Sequence, residues 1–99
     1  MITRISLIGS LMFATVTAVA APEPTYTWIN KNIIQPKCAS CHDFSTYESL
    51  IEDVLPGRAD QSPLYTETKN GSMPMGGEPL TEDELDAIQQ WIQDGAPNN

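Results

Sequence analysis

The segment Cys38-Ala39-Ser40-Cys41-His42 contains both cysteines and the single histidine of the 99-residue chain. Two thiols three positions apart, followed at once by an imidazole, concentrate the softest metal ligands of the sequence in five residues. No second group of Cys or His residues exists elsewhere in the chain. This segment is therefore the first candidate for the chemistry of the chain, and the fold is expected to form around it.

Two common uses of a Cys-x-x-Cys pair fit this sequence poorly. A disulfide between Cys38 and Cys41 would close a very short loop, and such pairs act mainly as redox dithiols beside a strand-helix-strand pattern that is absent here. A structural zinc ion needs four protein ligands, whereas this chain offers two Cys and one His. We therefore disfavour both a redox dithiol and a zinc site.

The order Cys-x-x-Cys-His is typical of c-type haem attachment. Two thiols one helical turn apart can form thioethers with the vinyl groups on one edge of the porphyrin, and the next imidazole can bind the iron. We therefore predict one haem c per chain, bound covalently through Cys38 and Cys41, with His42 as an iron ligand.

A second axial ligand must come from outside this segment. Because no other His is present, a bis-His site within one chain is excluded. Methionine is the usual alternative and raises the reduction potential of the iron. Met1 and Met12 lie in the apolar N-terminal segment, so Met73 and Met75 remain as candidates.

The N-terminal segment has the pattern of a secretory signal peptide. Arg4 precedes the apolar stretch from Ile5 to Ala21, which ends with the small residues Ala18-Val19-Ala20. We expect cleavage after Ala20, which leaves residues 21–99 as one mature domain without stable membrane insertion. An uncleaved anchor is the alternative, and either form would place the domain in the periplasm, where covalent haem attachment in bacteria occurs.

The charge of the chain excludes some classes of partner. Five Lys and Arg residues stand against 13 Asp and Glu residues, which gives a formal net charge of -8. This sign disfavours binding to nucleic acid or to anionic lipid, and loss of Arg4 with the signal peptide would make the mature chain more acidic still.

The apolar spacing of the mature chain predicts an all-α fold of about four short helices. The predicted helices are one capped by Thr27 and interrupted at Pro36, one that follows the capping box Ser45-Thr46-Tyr47-Glu48 and ends at Pro56-Gly57, one from Ser62-Pro63 to about Lys69, and one from Thr81-Glu82-Asp83-Glu84 to Gly95. Trp28 and Trp91 are predicted to pack the first helix against the last. Helices this short bury little surface alone, so a cofactor within the core is expected.

The mature chain resembles the class I cytochrome c family along nearly its whole length. The resemblance is carried by Cys38-Ala39-Ser40-Cys41-His42, Pro56-Gly57, Ser62-Pro63-Leu64-Tyr65, Ser72-Met73-Pro74 and the terminal Trp91-Ile92-Gln93-Asp94-Gly95-Ala96. It implies a small cytochrome c fold around one haem, with His42 as the proximal iron ligand and Met73 as the distal one. Met75 departs from the family pattern and is the alternative distal ligand.

The resemblance also gives Pro56 a second interpretation. In the family, a proline carbonyl accepts a hydrogen bond from the proximal imidazole and so orients it. Pro56 matches that proline, although it would equally serve to terminate a helix.

The expected function is that of an electron carrier and not of an enzyme. With both axial positions filled by protein, the iron would pass one electron between redox partners, and the acidic surface favours partners with basic docking patches. We expect a monomer. The alternatives are a five-coordinate haem protein with peroxidase-like or gas-binding activity, for which no distal His or Arg is present, and a haem subunit of a larger redox enzyme.

Overall fold

The computed structural model of the chain describes residues 21–38 and 42–99. The predicted signal peptide, residues 1–20, and Cys41 lie outside this part. The described residues form helices joined by loops, and none of them belongs to a β-strand, so the predicted all-α class is confirmed for them. No helix among these residues has both the length and the apolar character needed to cross a membrane.

The described residues contain four α-helices, one π-helix and one 3₁₀-helix. They are α1 (Tyr26–Ile29), a π-helix (Asn30–Cys38) that continues it, α2 (Tyr47–Ile51), a 3₁₀-helix (Ala59–Gln61), α3 (Pro63–Lys69) and α4 (Glu82–Gln93).

The first helix begins earlier and ends later than the sequence predicts. Its N-cap is Thr25 and not Thr27, because the Thr25 hydroxyl accepts the Trp28 N–H at 3.1 Å. Pro36 does not interrupt it but lies inside the π-helix. Proline removes one backbone hydrogen bond and its ring crowds the preceding turn, whereas the complete burial of Ile33 and Ile34 in the core favours the helical form of this segment.

Helix α2 is displaced and shorter than predicted. Its capping box consists of Thr46 and Ser49, one residue beyond the predicted Ser45 and Glu48. The helix ends at Ile51 and does not reach Pro56. The N–H groups of Asp53 and Val54 donate to carbonyls three residues back, and the N–H of Leu55 donates to the hydroxyl of Ser62 at 2.8 Å. Leu55 is consequently 46% exposed instead of lying on a buried stripe.

Ser62 occupies the N-cap position of α3, as the sequence predicts, and its side chain links the start of that helix to the preceding loop. Pro63 does occupy the first turn of α3, but the Ser62 side chain makes no capping hydrogen bond. Its hydroxyl is fully buried, accepts the Leu55 N–H and donates to the Arg58 carbonyl at 2.8 Å. This residue therefore fastens the loop after α2 to the start of α3.

Helix α4 begins and ends as predicted. The Thr81 hydroxyl accepts the Glu84 N–H at 3.1 Å, and the Glu84 carboxylate accepts the Thr81 N–H at 2.9 Å. At the other end Gly95 takes a positive φ of 102°, donates to the Ile92 carbonyl and is followed by Ala96, whose N–H donates to the Trp91 carbonyl. These two bonds are those of a Schellman motif.

The core lies where α1 and its π-helical continuation pack against α4. Trp91 is fully buried, and its indole N–H donates to the Pro97 carbonyl at 2.8 Å. Its ring centroid is 6.2 Å from that of Tyr26 on α1. The predicted core role of Trp91 is confirmed, and Trp28 is half-buried against the same cluster. The C-terminal tail contacts the start of α1, where the Tyr26 N–H donates to the Asn99 side chain at 2.9 Å.

Candidate cofactor site

A cavity of about 560 Å³ opens between the end of the π-helix, helix α3 and the loop that precedes α4. Four of the predicted site residues line it: Cys38, His42, Met73 and Met75. Its other lining residues are Pro36, Lys37, Phe44, Asp53, Pro63, Leu64, Glu67, Thr68, Pro74, Gly76, Gly77 and Glu78. Cys41 lies outside the described residues. Pro56 is exposed and does not line the cavity, so its contact with His42 stays a prediction.

Backbone geometry brings Cys38 and His42 to the same cavity. Cys38 is the last residue of the π-helix and is buried. The His42 N–H donates to the Cys38 carbonyl at 3.2 Å, which spans four residues as a helical turn does. The spacing of the Cys-x-x-Cys-His segment is therefore compatible with a local turn that presents both side chains together.

The imidazole of His42 is held by an aromatic neighbour. Its ring stacks on Phe44 with the centroids 5.1 Å apart and the planes 14° from parallel. Phe44 is itself buried, and its carbonyl accepts a hydrogen bond from the Gln35 side chain at 3.1 Å. His42 remains exposed, so the imidazole is oriented by Phe44 and still accessible to a ligand.

The loop after α3 carries the methionines to the cavity. Gly71 has a φ of 88°, a left-handed conformation that glycine adopts readily and that turns the chain out of the helix. The Met73 N–H then donates to the Glu67 carbonyl at 3.0 Å. The Ser72 hydroxyl donates to the Glu67 carboxylate at 2.7 Å. Met73 is therefore fastened to the C-terminal half of α3.

The two methionines differ in exposure. Met73 is half-buried, whereas the side chain of Met75 is 74% exposed. Both line the cavity. A thioether that binds a metal inside a cavity must be shielded from water on its other sides, so the difference favours Met73 as the ligand and leaves Met75 at the rim.

The ionised residues around the cavity are mainly acidic. Asp53, Glu67 and Glu78 line it together with Lys37. Lys37 donates to both carboxylate oxygens of Glu84 on α4, each at 2.9 Å, so its charge is compensated. Burial alone would raise the pKa of Glu84, but the hydrogen bonds from Lys37 and from the Thr81 N–H outweigh burial and hold that pKa below its ordinary value.

The residues that line the cavity include types of ligand that a haem iron binds. Among residues 21–38 and 42–99, a range that leaves out Cys41, no three His, Cys, Asp or Glu side chains are grouped so as to hold a metal ion. An imidazole and a thioether sulfur are ligands that haem iron takes in electron-transfer proteins. The cavity volume is also within the range of about 300–1,000 Å³ that cofactor and ligand sites occupy.

Several lining residues were not recognised in the sequence as part of a site. Phe44 follows His42 by two positions, so its closeness to the attachment segment could have identified it as a candidate site residue. Leu64 and Thr68 lie four residues apart on α3 and so share one helix face. Lys37 directly precedes Cys38, and this adjacency is a further signal, whereas Asp53 is brought to the cavity only by the tertiary fold.

Comparisons of the chain with protein-family models, with curated proteins and with solved structures found no match. The assignment of a function therefore depends on the chemistry of the cavity and on the sequence segments that line it.

Proposed function

We propose that this chain is a periplasmic, single-haem c-type cytochrome of the class I fold, which carries one electron between redox partners. The observation that carries the proposal is the single cavity that collects Cys38, His42 and Met73. Met73 lies 31 residues after His42 in the sequence. Together the three residues supply one attachment thiol, one imidazole and one thioether. That set of groups matches a covalently attached haem with His and Met as axial ligands.

Each of these residues has a distinct role in the proposed site. Cys38 and Cys41 would bind the cofactor covalently, and the iron would be held by His42 as the proximal ligand and by Met73 as the distal ligand. When bound, haem supplies reversible one-electron chemistry between Fe(II) and Fe(III). With both ligands supplied by the protein, electron transfer would require no bound substrate and little rearrangement of ligands.

The neighbouring residues keep this ligand set in place. Phe44 stacks on His42 and limits rotation of the imidazole. The Glu67 carbonyl accepts the Met73 N–H and so restricts the loop that carries the distal sulfur. Leu64 adds an apolar side chain to the cavity wall, and less polar surroundings would favour the less charged, reduced iron.

The acidic surface supports a particular class of partner. Asp53, Glu67 and Glu78 surround the cavity, and the whole chain carries a formal net charge of -8. Partners with basic docking patches would form transient complexes that weaken as salt concentration rises. We further propose that residues 1–20 direct export, that residues 21–99 form the mature domain and that the protein is a monomer.

An optical spectrum tests this proposal against the open-iron alternative. The protein is produced with its leader in a bacterium that attaches haem c, purified and oxidised. We expect a methionine-sulfur charge-transfer band in the ferric form and no rapid binding of carbon monoxide after reduction. A ferric spectrum without that band, with ready binding of carbon monoxide, would instead indicate a peroxidase-like or gas-binding protein. Co-purification with a larger enzyme at high salt would indicate a fixed haem subunit.

A further inference from the structure

Met75 is the most exposed large apolar side chain of the described residues, and it lies at the rim of the cavity. Its side chain is 74% exposed, whereas Met73, two residues earlier in the same loop, is half-buried. Gly76 and Gly77 follow it, so no bulky neighbour in the chain covers the sulfur from that side. A thioether in this position is accessible to small solutes that approach the cavity from solvent.

We propose that Met75 is a methionine-oxidation site that reacts before Met73 and leaves the iron ligands in place. The reagent is a two-electron oxygen donor such as hypochlorous acid. The Met75 sulfur gives an electron pair to the oxygen, an S–O bond forms, the O–Cl bond breaks, and chloride and a proton are released. The sulfur is oxidised to a sulfoxide, the oxidant is reduced to chloride, and sulfoxide reductases can reverse the change.

The order of reaction follows from the environments of the two sulfurs. Susceptibility of a methionine to oxidation rises with its exposure. Met73 is half-buried, and its backbone is fixed by the bond to the Glu67 carbonyl. If the proposed function holds, on which this step of the inference rests, the Met73 sulfur also shares its lone pair with the iron and is a weaker nucleophile. Oxidation would therefore make the rim polar at Met75 and spare the ligand.

The test uses the ferric holoprotein and one equivalent of hypochlorous acid. Peptide mapping by mass spectrometry locates the added oxygen, and the methionine-sulfur band is recorded on the same sample. We expect several-fold more sulfoxide at Met75 than at Met73, with the band unchanged. Equal oxidation of the two residues, or preferential oxidation of Met73, would overturn the inference. So would a loss of the band in proportion to sulfoxide at Met75, because Met75 would then be the ligand.

The variant Met75→Leu is the matched control, because leucine keeps the apolar bulk and lacks the sulfur. Under the same dose it should retain the methionine band before treatment and incorporate several-fold less methionine-bound oxygen. Unchanged oxygen uptake in this variant would contradict the inference. Failure of the proposed function has a different signature, since the untreated wild-type protein would then lack the methionine band. Peptide mapping would still report which sulfur oxidises first.

Discussion

Lys37 donates to both carboxylate oxygens of Glu84, at 2.9 Å each, across 47 residues of sequence. Lys37 directly precedes Cys38, and Glu84 belongs to the capping box at the start of α4. One carboxylate thus closes the first turn of α4 and connects it to the segment that would hold the cofactor. Both side chains are partly shielded from solvent, so this ion pair should stabilise the fold more than a fully exposed surface pair does.

Removal of this ion pair should lower stability in a pH-dependent manner. Because the folded-state pKa of Glu84 lies below its ordinary value of 4.5, its contribution is present above pH 4.5 and lost as the pH falls through the folded-state pKa. We expect Lys37→Met to lower the free energy of unfolding by about 0.5–1 kcal/mol at neutral pH. Denaturant unfolding at a series of pH values measures the effect.

The exposed Lys31 supplies the control for that experiment. Lys31→Met removes the same charge from the surface and should change stability by less than the Lys37 variant does. If Lys37→Met costs as much at about pH 3 as at pH 7, the pair is not the cause of the effect.

Loss of the buried hydroxyl of Ser62 should destabilise the protein substantially. Ser62→Ala removes the hydroxyl of a fully buried side chain and leaves the part-buried Leu55 N–H without its acceptor, which should cost about 1–3 kcal/mol. Ser72→Ala removes an exposed hydroxyl of the same type and should cost well under half as much. Equal losses in the two variants, measured by urea unfolding, would show that the Ser62 hydrogen bonds contribute little.

The two methionine variants should have different spectra. Met73→Ala should abolish the methionine-sulfur band and allow carbon monoxide to bind the reduced protein, because the distal ligand is gone. Met75→Ala should retain the band, since Met75 is an exposed rim residue. Loss of the band only in Met75→Ala would reverse the ligand assignment.

Carboxylates around the cavity should lower the reduction potential. A negative charge near the iron stabilises the oxidised state, so Asp53→Asn should raise the potential by a few tens of millivolts at low ionic strength. Asp86→Asn removes an equal charge from an exposed position of α4 that does not line the cavity. Voltammetry of both variants should show the smaller shift for Asp86→Asn, and equal shifts would exclude a local effect of Asp53.

Local sequence signals predicted some elements well and others less well. The capping box of Thr81 and Glu84 and the stop at Gly95 were correct because the residues that make those bonds are neighbours in sequence. The predicted end of α2 was wrong: the helix ends at Ile51, and the Leu55 N–H beyond it donates to Ser62, a partner outside the helix. The predicted interruption of the first helix at Pro36 was also wrong, because burial of the neighbouring isoleucines stabilises that segment as a helix.

In the candidate site too, the sequence predicted what neighbouring residues determine and missed what depends on the tertiary fold. Cys38 and His42 were predicted from one short motif, and the fold places both at one cavity. The resemblance to a known family favours Met73 over Met75, and the two residues also differ in exposure, which the sequence does not show. Asp53 reaches the cavity through tertiary packing, which no local pattern reveals.

The mass of the exported protein tests the central claim most directly. A chain produced with its leader in a host that attaches haem c should have the mass of residues 21–99 plus one haem, and the haem should resist extraction by acidified organic solvent. Replacement of Cys38 and Cys41 by Ser should abolish that added mass. A wild-type protein that is exported and folded in the same host, yet has the mass of the polypeptide alone, would contradict the assignment as a c-type cytochrome.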